Sequence, residues 1–161
     1  MNPSSGRNSS DEYALAWPLQ AALALAAGGI YPLAFAPFHW FPLLFVSVAV
    51  LWWLLNRSSS RWALLAWVYG LGKYGVGVSW IYVSIHQYGG ASPLVAGLMV
   101  ASFVVLMALF CLPIGWFVGA LQASGKRPGR GALAMGFVAS WLLMEWLLTW
   151  FFTGFPWLFA G

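Results

Sequence analysis

Five apolar stretches, separated by short polar or charged segments, account for most of this 161-residue chain. Only 6% of the residues are charged and 62% are apolar, whereas soluble domains carry about 25% charged residues. So few charged side chains cannot cover the surface of a soluble domain, and stretches of this length suit the hydrocarbon core of a bilayer. The sequence therefore predicts an all-α, polytopic membrane helix bundle, because a helix satisfies its own backbone hydrogen bonds in lipid.

The stretches predict about five transmembrane helices. Their approximate bounds are 13–30, 41–55, 62–83, 93–121 and 131–152. Between the first two lies an aromatic segment with Pro32, Pro37 and Pro42, which lack the N–H donor of a regular helix. Since aromatic residues favour the headgroup level, we predict a Pro-rich interfacial segment there. Further stretches follow the first one, and this favours an uncleaved helix over a signal peptide.

The basic residues predict the orientation. Two loops, 56–61 and 124–130, hold five of the seven Lys and Arg residues, whereas loops 31–40 and 84–92 hold none. The positive-inside rule then places both basic loops and the N-terminus in the cytoplasm. We expect residues 1–12 to be a disordered polar cytoplasmic tail and residues 13–161 to be the transmembrane domain. The net charge of +4 reflects this topology, and no nucleic-acid partner is predicted.

Gly70, Gly72 and Gly75 formally match the G-x-G-x-x-G pattern of dinucleotide-binding enzymes. That fingerprint needs a preceding strand and an acidic residue about 20 residues later, but the next acidic residue here is Glu145. The glycines lie instead within one continuous apolar run. Together with Gly77, their spacing places small residues along helix faces, where neighbouring helices approach closely. We therefore predict a role in helix packing and no nucleotide ligand.

Few side chains outside the basic loops are candidates for chemistry. Cys111 is the only cysteine, and in the middle of an apolar stretch it is expected to pack as a small apolar residue rather than act as a nucleophile. His39 and His86 lie in the two loops without basic charge and have no acidic residue near them in sequence. Neither a metal site nor a cofactor is predicted, because metal sites need several ligands in register.

Lys73 and Glu145 stand alone in apolar surroundings. A charge inside the membrane is expensive, so each is a candidate functional residue; a buried ion pair between two helices is the alternative. Counted from the cytoplasmic side, Lys73 lies about 11 residues into its stretch and Glu145 about 14 residues into its own, and at about 1.5 Å per residue these are similar depths. We therefore predict that the two side chains meet as an intramembrane ion pair.

Three segments resemble the apolipoprotein N-acyltransferase family of bacterial inner membranes. They are LAFAPFHWFPL (33–43), GLGKYGVGVSWIYVSIHQYGG (70–90) and EWLLTWFFTGFPWLFAG (145–161). Their order and separation also match, so the resemblance covers nearly the whole chain after the polar tail. It implies that the full protein transfers an acyl chain from a phospholipid to the α-amino group of the diacylglyceryl-cysteine of an apolipoprotein. It also implies an inner-membrane location in contact with membrane lipids.

The resemblance further implies that the catalytic residues lie outside this chain. In the family, a cysteine, a glutamate and a lysine of a periplasmic nitrilase-like domain carry out covalent acyl transfer, and that domain would follow Gly161. The chain is then a truncated N-terminal membrane domain, inactive alone, which supports the catalytic domain and lets lipids approach laterally. Candidate residues for these roles are Trp80, Tyr82, Glu145, Thr153, Gly154, Phe155, Pro156 and Trp157.

The chain departs from the family pattern near its two isolated charges. It has Leu148 where family members usually carry a basic residue, and Lys73 where they usually carry a large apolar residue. We therefore predict that Lys73 supplies the cation that keeps Glu145 ionised. A different class of function is a non-enzymatic membrane scaffold or transporter subunit that is complete at this length. A stop codon after Gly161 would favour it, whereas a reading frame that continues into an α/β domain would favour the acyltransferase.

Overall fold

The computed structural model describes residues 15–35, 37–58, 60–124, 129–151 and 158. Within these ranges the chain forms helices and turns and no strand, which confirms the predicted all-α membrane helix bundle. The α-helices of the described ranges are α1 (Trp17–Ile30), α2 (Pro42–Arg57), α3 (Trp62–Gly77), α4 (Trp80–Val83), α5 (Pro93–Leu109), α6 (Leu112–Ala123) and α7 (Arg130–Trp150).

Two described segments are long and apolar enough to cross a membrane as helices. One is Pro93–Ala123, which contains α5 and α6, and the other is Arg130–Trp150, which is α7. Helices α1, α2 and α3 have 14, 16 and 16 residues, whereas a full span needs about 20. The count of five transmembrane helices therefore stays a prediction.

The fourth apolar stretch, predicted over about 93–121, is interrupted by a turn at its middle. Helix α5 ends at Leu109, a turn follows at Phe110 and Cys111, and α6 begins at Leu112. Pro113 explains the break, because it lacks an N–H donor and its ring clashes with the carbonyl group four residues earlier, that of Leu109. Cys111 therefore lies at a helix junction, where it is fully buried.

The third stretch, predicted over about 62–83, is likewise divided by a turn. Helix α3 stops at Gly77, and after a turn α4 continues into a wide helical turn over Ser84–Tyr88. Gly75 and Gly77 weaken the end of α3, because glycine has low helix propensity. The Ser79 hydroxyl donates to the Val76 carbonyl oxygen at 2.9 Å, a local bond that competes with helix continuation.

Helix α3 is the central element of the described bundle. It contacts α1, α2, α5 and α6. Its closest partner is α1, where a Cβ atom on Gly72 would overlap the carbonyl oxygen of Leu25, and one on Gly28 would overlap the carbonyl oxygen of Tyr69. Backbones meet this closely only where side chains are absent, a common way for membrane helices to pack. The α1–α3 pair therefore fixes the position of everything that α3 carries.

The segment after α1 is irregular, as its prolines predict. It begins with a short 3₁₀ helix, Tyr31–Ala34. Tyr31 is fully buried against the bundle, whereas Phe38, Trp40 and Phe41 are exposed. The segment thus contributes one aromatic side chain to the interior and several to the surface.

Candidate functional site

Lys73 is fully buried in α3, and its ammonium group lies among three aromatic rings. Nζ is 4.3 Å from the ring centroid of Tyr31, 5.1 Å from that of Trp141 and 5.5 Å from that of Tyr74. It has no hydrogen-bond partner among the described residues. Cation–π attraction therefore replaces the missing hydrogen bonds, and such contacts contribute about 2 kcal/mol when desolvated. We call Lys73 and these three rings the Lys73 cage.

Glu145 lies at the edge of the same cage. The indole Nε1 of Trp141 donates a hydrogen bond of 2.9 Å to Glu145 Oε1. The two residues are four apart on α7, and this spacing places them on one face of the helix. Trp141 thus offers its ring to the cation and its N–H to the carboxylate. Because linked polar contacts polarise one another, the two interactions reinforce each other.

Lys73 and Glu145 are connected through Trp141 and not by a direct hydrogen bond. Lys73 Nζ makes no hydrogen bond to Glu145 or to any other described residue. Both charged groups contact Trp141 instead. The predicted ion pair between Lys73 and Glu145 therefore stays a prediction, and Trp141 was not among the predicted site residues.

Tyr31 connects the cage to Leu158. Its hydroxyl group donates to the carbonyl oxygen of Leu158 at 3.1 Å. Leu158 follows α7 in sequence, is buried, and packs its side chain where a Cβ atom on Gly77 would otherwise lie. One residue beyond α7 thus packs against the 3₁₀ helix and the end of α3.

Trp80 and Tyr82 belong to a different group of contacts, on α4. Tyr82 packs on His86 with ring centroids 5.6 Å apart, and His86 Nδ1 lies 2.8 Å from the carbonyl oxygen of Ala91. Trp80 is exposed. The remaining predicted residues, Thr153, Gly154, Phe155, Pro156 and Trp157, lie outside the described residues.

The glycines that the sequence predicted for helix packing differ in how closely neighbouring atoms approach them. A Cβ atom on Gly70 would lie 3.0 Å from the Cys111 sulfur and the Ala108 carbonyl oxygen. Gly72 meets the α1 backbone and Gly77 meets Leu158, as described above. Gly75 has more room, with Val104 Cγ1 at 4.0 Å from the position of an added Cβ.

Cys111 is packed rather than presented to a ligand. Its sulfur lies 3.7 Å from the sulfur of Met144 on α7, and the side chain is fully buried. Among the described residues, no three His, Cys, Asp or Glu side chains come together.

An apolar groove of about 590 Å³ separates α2 from α7. Its lining residues are Leu44, Phe45, Val48, Ala49, Trp52, Ala134, Phe137, Val138, Trp141 and Leu142. This volume falls in the range of small-molecule pockets. Trp141 is shared between the groove and the Lys73 cage, so the two features are adjacent. The sequence carried no signal for the groove, since it depends on the separation of two helices distant along the chain.

The chain is similar to known bacterial proteins. Residues 27–161 match the family model described as "Apolipoprotein N-acyltransferase N-terminal domain". Curated proteins named apolipoprotein N-acyltransferase are 49% identical over 146 residues in Pseudomonas syringae pv. tomato and 45% identical over 147 residues in Coxiella burnetii. These matches cover 90% and 89% of this chain but 28% and 29% of the two relatives. Since the family model covers most of its length, including the cage and the groove, the chain belongs to the apolipoprotein N-acyltransferase family.

Proposed function

We propose that this chain is the N-terminal membrane domain of a phospholipid:apolipoprotein N-acyltransferase. The full enzyme moves an acyl chain from a phospholipid to the α-amino group of the diacylglyceryl-cysteine of a bacterial apolipoprotein. The observation that carries the proposal is the match of residues 27–161 to the N-terminal domain of this family. The name of the relatives supports an apolipoprotein acceptor and an N-acyl product, and the family resemblance supports a phospholipid donor.

In this proposal the bond-making steps take place outside the chain. A cysteine thiolate of the nitrilase-like domain attacks the phospholipid ester, so that a thioester forms and a lysophospholipid leaves. The apolipoprotein amine then attacks the thioester, which forms the amide and releases the thiol. The chain spans 28% of the length of the relative from Pseudomonas syringae, which leaves ample length for such a domain. The buried Cys111 is not the nucleophile.

The membrane domain supports the catalytic domain and gives lipids lateral access. The groove between α2 and α7 has the apolar lining that an acyl chain requires, and some of its lining side chains, such as Phe45 and Leu142, are exposed. Trp80, Tyr82 and the segment 153–157 remain proposed contacts to the lipid, the lipoprotein or the catalytic domain. The family resemblance supports a location in the inner membrane, and the positive-inside rule supports an N-terminus in the cytoplasm.

A comparison of two purified proteins tests this function. The 161-residue chain and the product of the complete reading frame are each incubated with phospholipid and a synthetic diacylated lipopeptide, and the N-acylated lipopeptide is measured by mass spectrometry. We expect product only from the complete protein, because the chain lacks the catalytic cysteine, glutamate and lysine. Product from the chain alone would contradict the proposal that the catalytic residues lie outside this chain. A reading frame that stops after Gly161, with no product, would favour a scaffold or transporter subunit.

A further inference from the structure

The Lys73 cage joins three parts of the fold. Lys73 and Tyr74 come from α3, Tyr31 comes from the 3₁₀ turn after α1, and Trp141 comes from α7. A buried ammonium group without hydrogen bonds is costly unless other groups compensate it. The rings supply that compensation only while they stay in place around Nζ. The cation therefore fixes the orientation of each ring that contacts it.

Tyr31 is held at both of its ends. Its ring face lies 4.3 Å from Lys73 Nζ, and its ring also packs on Phe35 at 5.5 Å and on Trp141 at 5.9 Å between centroids. Its hydroxyl group donates to the Leu158 carbonyl oxygen at 3.1 Å. Because the whole side chain is buried, the direction of this hydroxyl group is set by the cage.

Leu158 packs into a space beside Gly77. Its side chain lies where a Cβ atom on Gly77 would be, close to Pro32. Its backbone has a φ of 64°, in the left-handed region that a residue with a branched side chain rarely adopts. Such a conformation persists only where the surroundings hold it. Here the hydrogen bond from Tyr31 and the packing of the Leu158 side chain beside Gly77 hold it.

We propose that Lys73, Tyr31 and Gly77 form a latch that holds the chain at Leu158, and that Lys73 is its positioning residue. Lys73 orients the ring of Tyr31, the ring directs the hydroxyl group, and the hydroxyl group holds the backbone of Leu158. In the complete enzyme this latch sets how the catalytic domain sits on the membrane domain. That last consequence rests on the proposed function, whereas the latch itself does not.

The latch is tested by the reactivity of a thiol at position 158, which requires no enzymatic activity. Leu158→Cys is introduced into a Cys111→Ser background, and the rate of labelling by N-ethylmaleimide is measured in detergent. Leu158 is 9% exposed, so we expect slow labelling compared with Leu94→Cys at an exposed position of α5. Adding Tyr31→Phe, which keeps the ring and removes only the hydroxyl group, is expected to raise the rate about fivefold, as fits the loss of one hydrogen bond.

Two further variants separate the latch from general loosening. Lys73→Met is expected to raise the rate at least as much as Tyr31→Phe, and Lys73→Arg, which keeps the cation, is expected to restore slow labelling. Tyr88→Phe is the matched control, because it removes an exposed tyrosine hydroxyl group; it should leave the rate unchanged. Slow labelling in folded Tyr31→Phe protein, or an equal rise in Tyr88→Phe protein, would overturn the latch.

The consequence for catalysis is measured separately in the product of the complete reading frame. There Tyr31→Phe is expected to lower kcat about fivefold with KM for the lipopeptide unchanged, because a displaced catalytic domain reacts less often without losing its acceptor site. An unchanged kcat, with faster labelling at position 158, would refute the role of the latch in positioning the catalytic domain. If the complete parent protein shows no acyl transfer, the proposed function fails while the labelling result still decides the latch.

Discussion

Glu145 accepts a hydrogen bond of 2.9 Å from the indole nitrogen of Trp141. The same indole ring lies 5.1 Å from the ammonium group of Lys73. One tryptophan therefore contacts both Lys73 and Glu145, and Lys73 makes no direct hydrogen bond to the carboxylate. This arrangement links α3 to α7, two helices that are far apart in sequence.

A double-mutant cycle measures whether the two charges are coupled. Lys73→Leu or Glu145→Leu alone strands the remaining charge, so each is expected to destabilise the detergent-solubilised protein by about 3 kcal/mol. The double variant should cost less than the sum of the two, because no uncompensated charge remains. The free energy of unfolding is measured by heating or by titration with denaturant. Additive losses, with coupling below about 0.5 kcal/mol, would show that the two side chains act independently.

Trp141→Phe tests the connecting role of the indole. This change keeps an aromatic ring beside Lys73 but removes the N–H donor to the carboxylate. Since hydrogen bonds to charged groups contribute about 1.5–3 kcal/mol, we expect a loss of stability of that size. Trp150→Phe, at an exposed position near the end of α7, is the matched control and should change stability far less. Equal effects of the two substitutions would argue against the role assigned to Trp141.

The close contact of α1 and α3 predicts opposite effects for two Gly→Ala substitutions. At Gly72 the new methyl group would overlap the Leu25 carbonyl oxygen, so we expect destabilisation of about 1–3 kcal/mol, the usual cost of overpacking. Gly97, in the interior of α5, has nothing within 4 Å of the added atom. There alanine is expected to stabilise the helix by about 1 kcal/mol. Thermal unfolding of both variants checks the sign, and tolerance of Gly72→Ala would contradict the observed approach of the two backbones.

The orientation in the membrane is tested by thiol labelling of whole cells. Ser60→Cys and Gln87→Cys, both at exposed positions, are placed separately in a Cys111→Ser background. The positive-inside rule predicts that an impermeant maleimide reacts with position 87 once the outer membrane is permeabilised, and reacts with position 60 only after lysis. The reverse pattern would invert the topology. It would also place the latch nearer the cytoplasmic side.

The fold class followed from one property of the sequence, and its details followed from local chemistry. Too few charges for a soluble surface predicted the membrane bundle. The break at Cys111 was also readable in principle, because Pro113 removes a backbone donor inside the fourth apolar stretch. The early end of α3 depends on two glycines and on a hydrogen bond of a serine hydroxyl group. Their effect is close in size to the helix propensity of the surrounding residues, so the apolar pattern does not predict where the helix ends.

The site was only half predictable for a different reason. Lys73 and Glu145 could be named because a charge inside the membrane is rare and costly. Tyr31 and Trp141 could not be singled out, because the chain contains 12 tryptophans and 6 tyrosines, and most of them would serve equally well at the membrane interface. Which of them join Tyr74 around the cation depends on the close approach of α1 to α3 and on the rotation of α7. Neither is encoded in a local pattern.

Filling the groove tests its proposed use by acyl chains. Ala134→Trp projects a large side chain into the space between α2 and α7. In the complete protein we expect it to lower the rate of acyl transfer from long-chain phospholipid about tenfold, while transfer from a short-chain donor falls less. Leu98→Trp, at an exposed position of α5, adds similar bulk elsewhere and should leave both rates unchanged. Equal rates for Ala134→Trp and the parent would exclude the groove from the donor path.

The mass of a lipoprotein's N-terminal peptide tests the central claim most directly. The complete reading frame is expressed in a bacterium depleted of its own N-acyltransferase, and the N-terminal peptide of an abundant lipoprotein is analysed by mass spectrometry. The account predicts that the mass increases by one acyl chain, located on the α-amino group of the diacylglyceryl-cysteine. A peptide that stays diacylated, although the protein is present in the inner membrane, would contradict it.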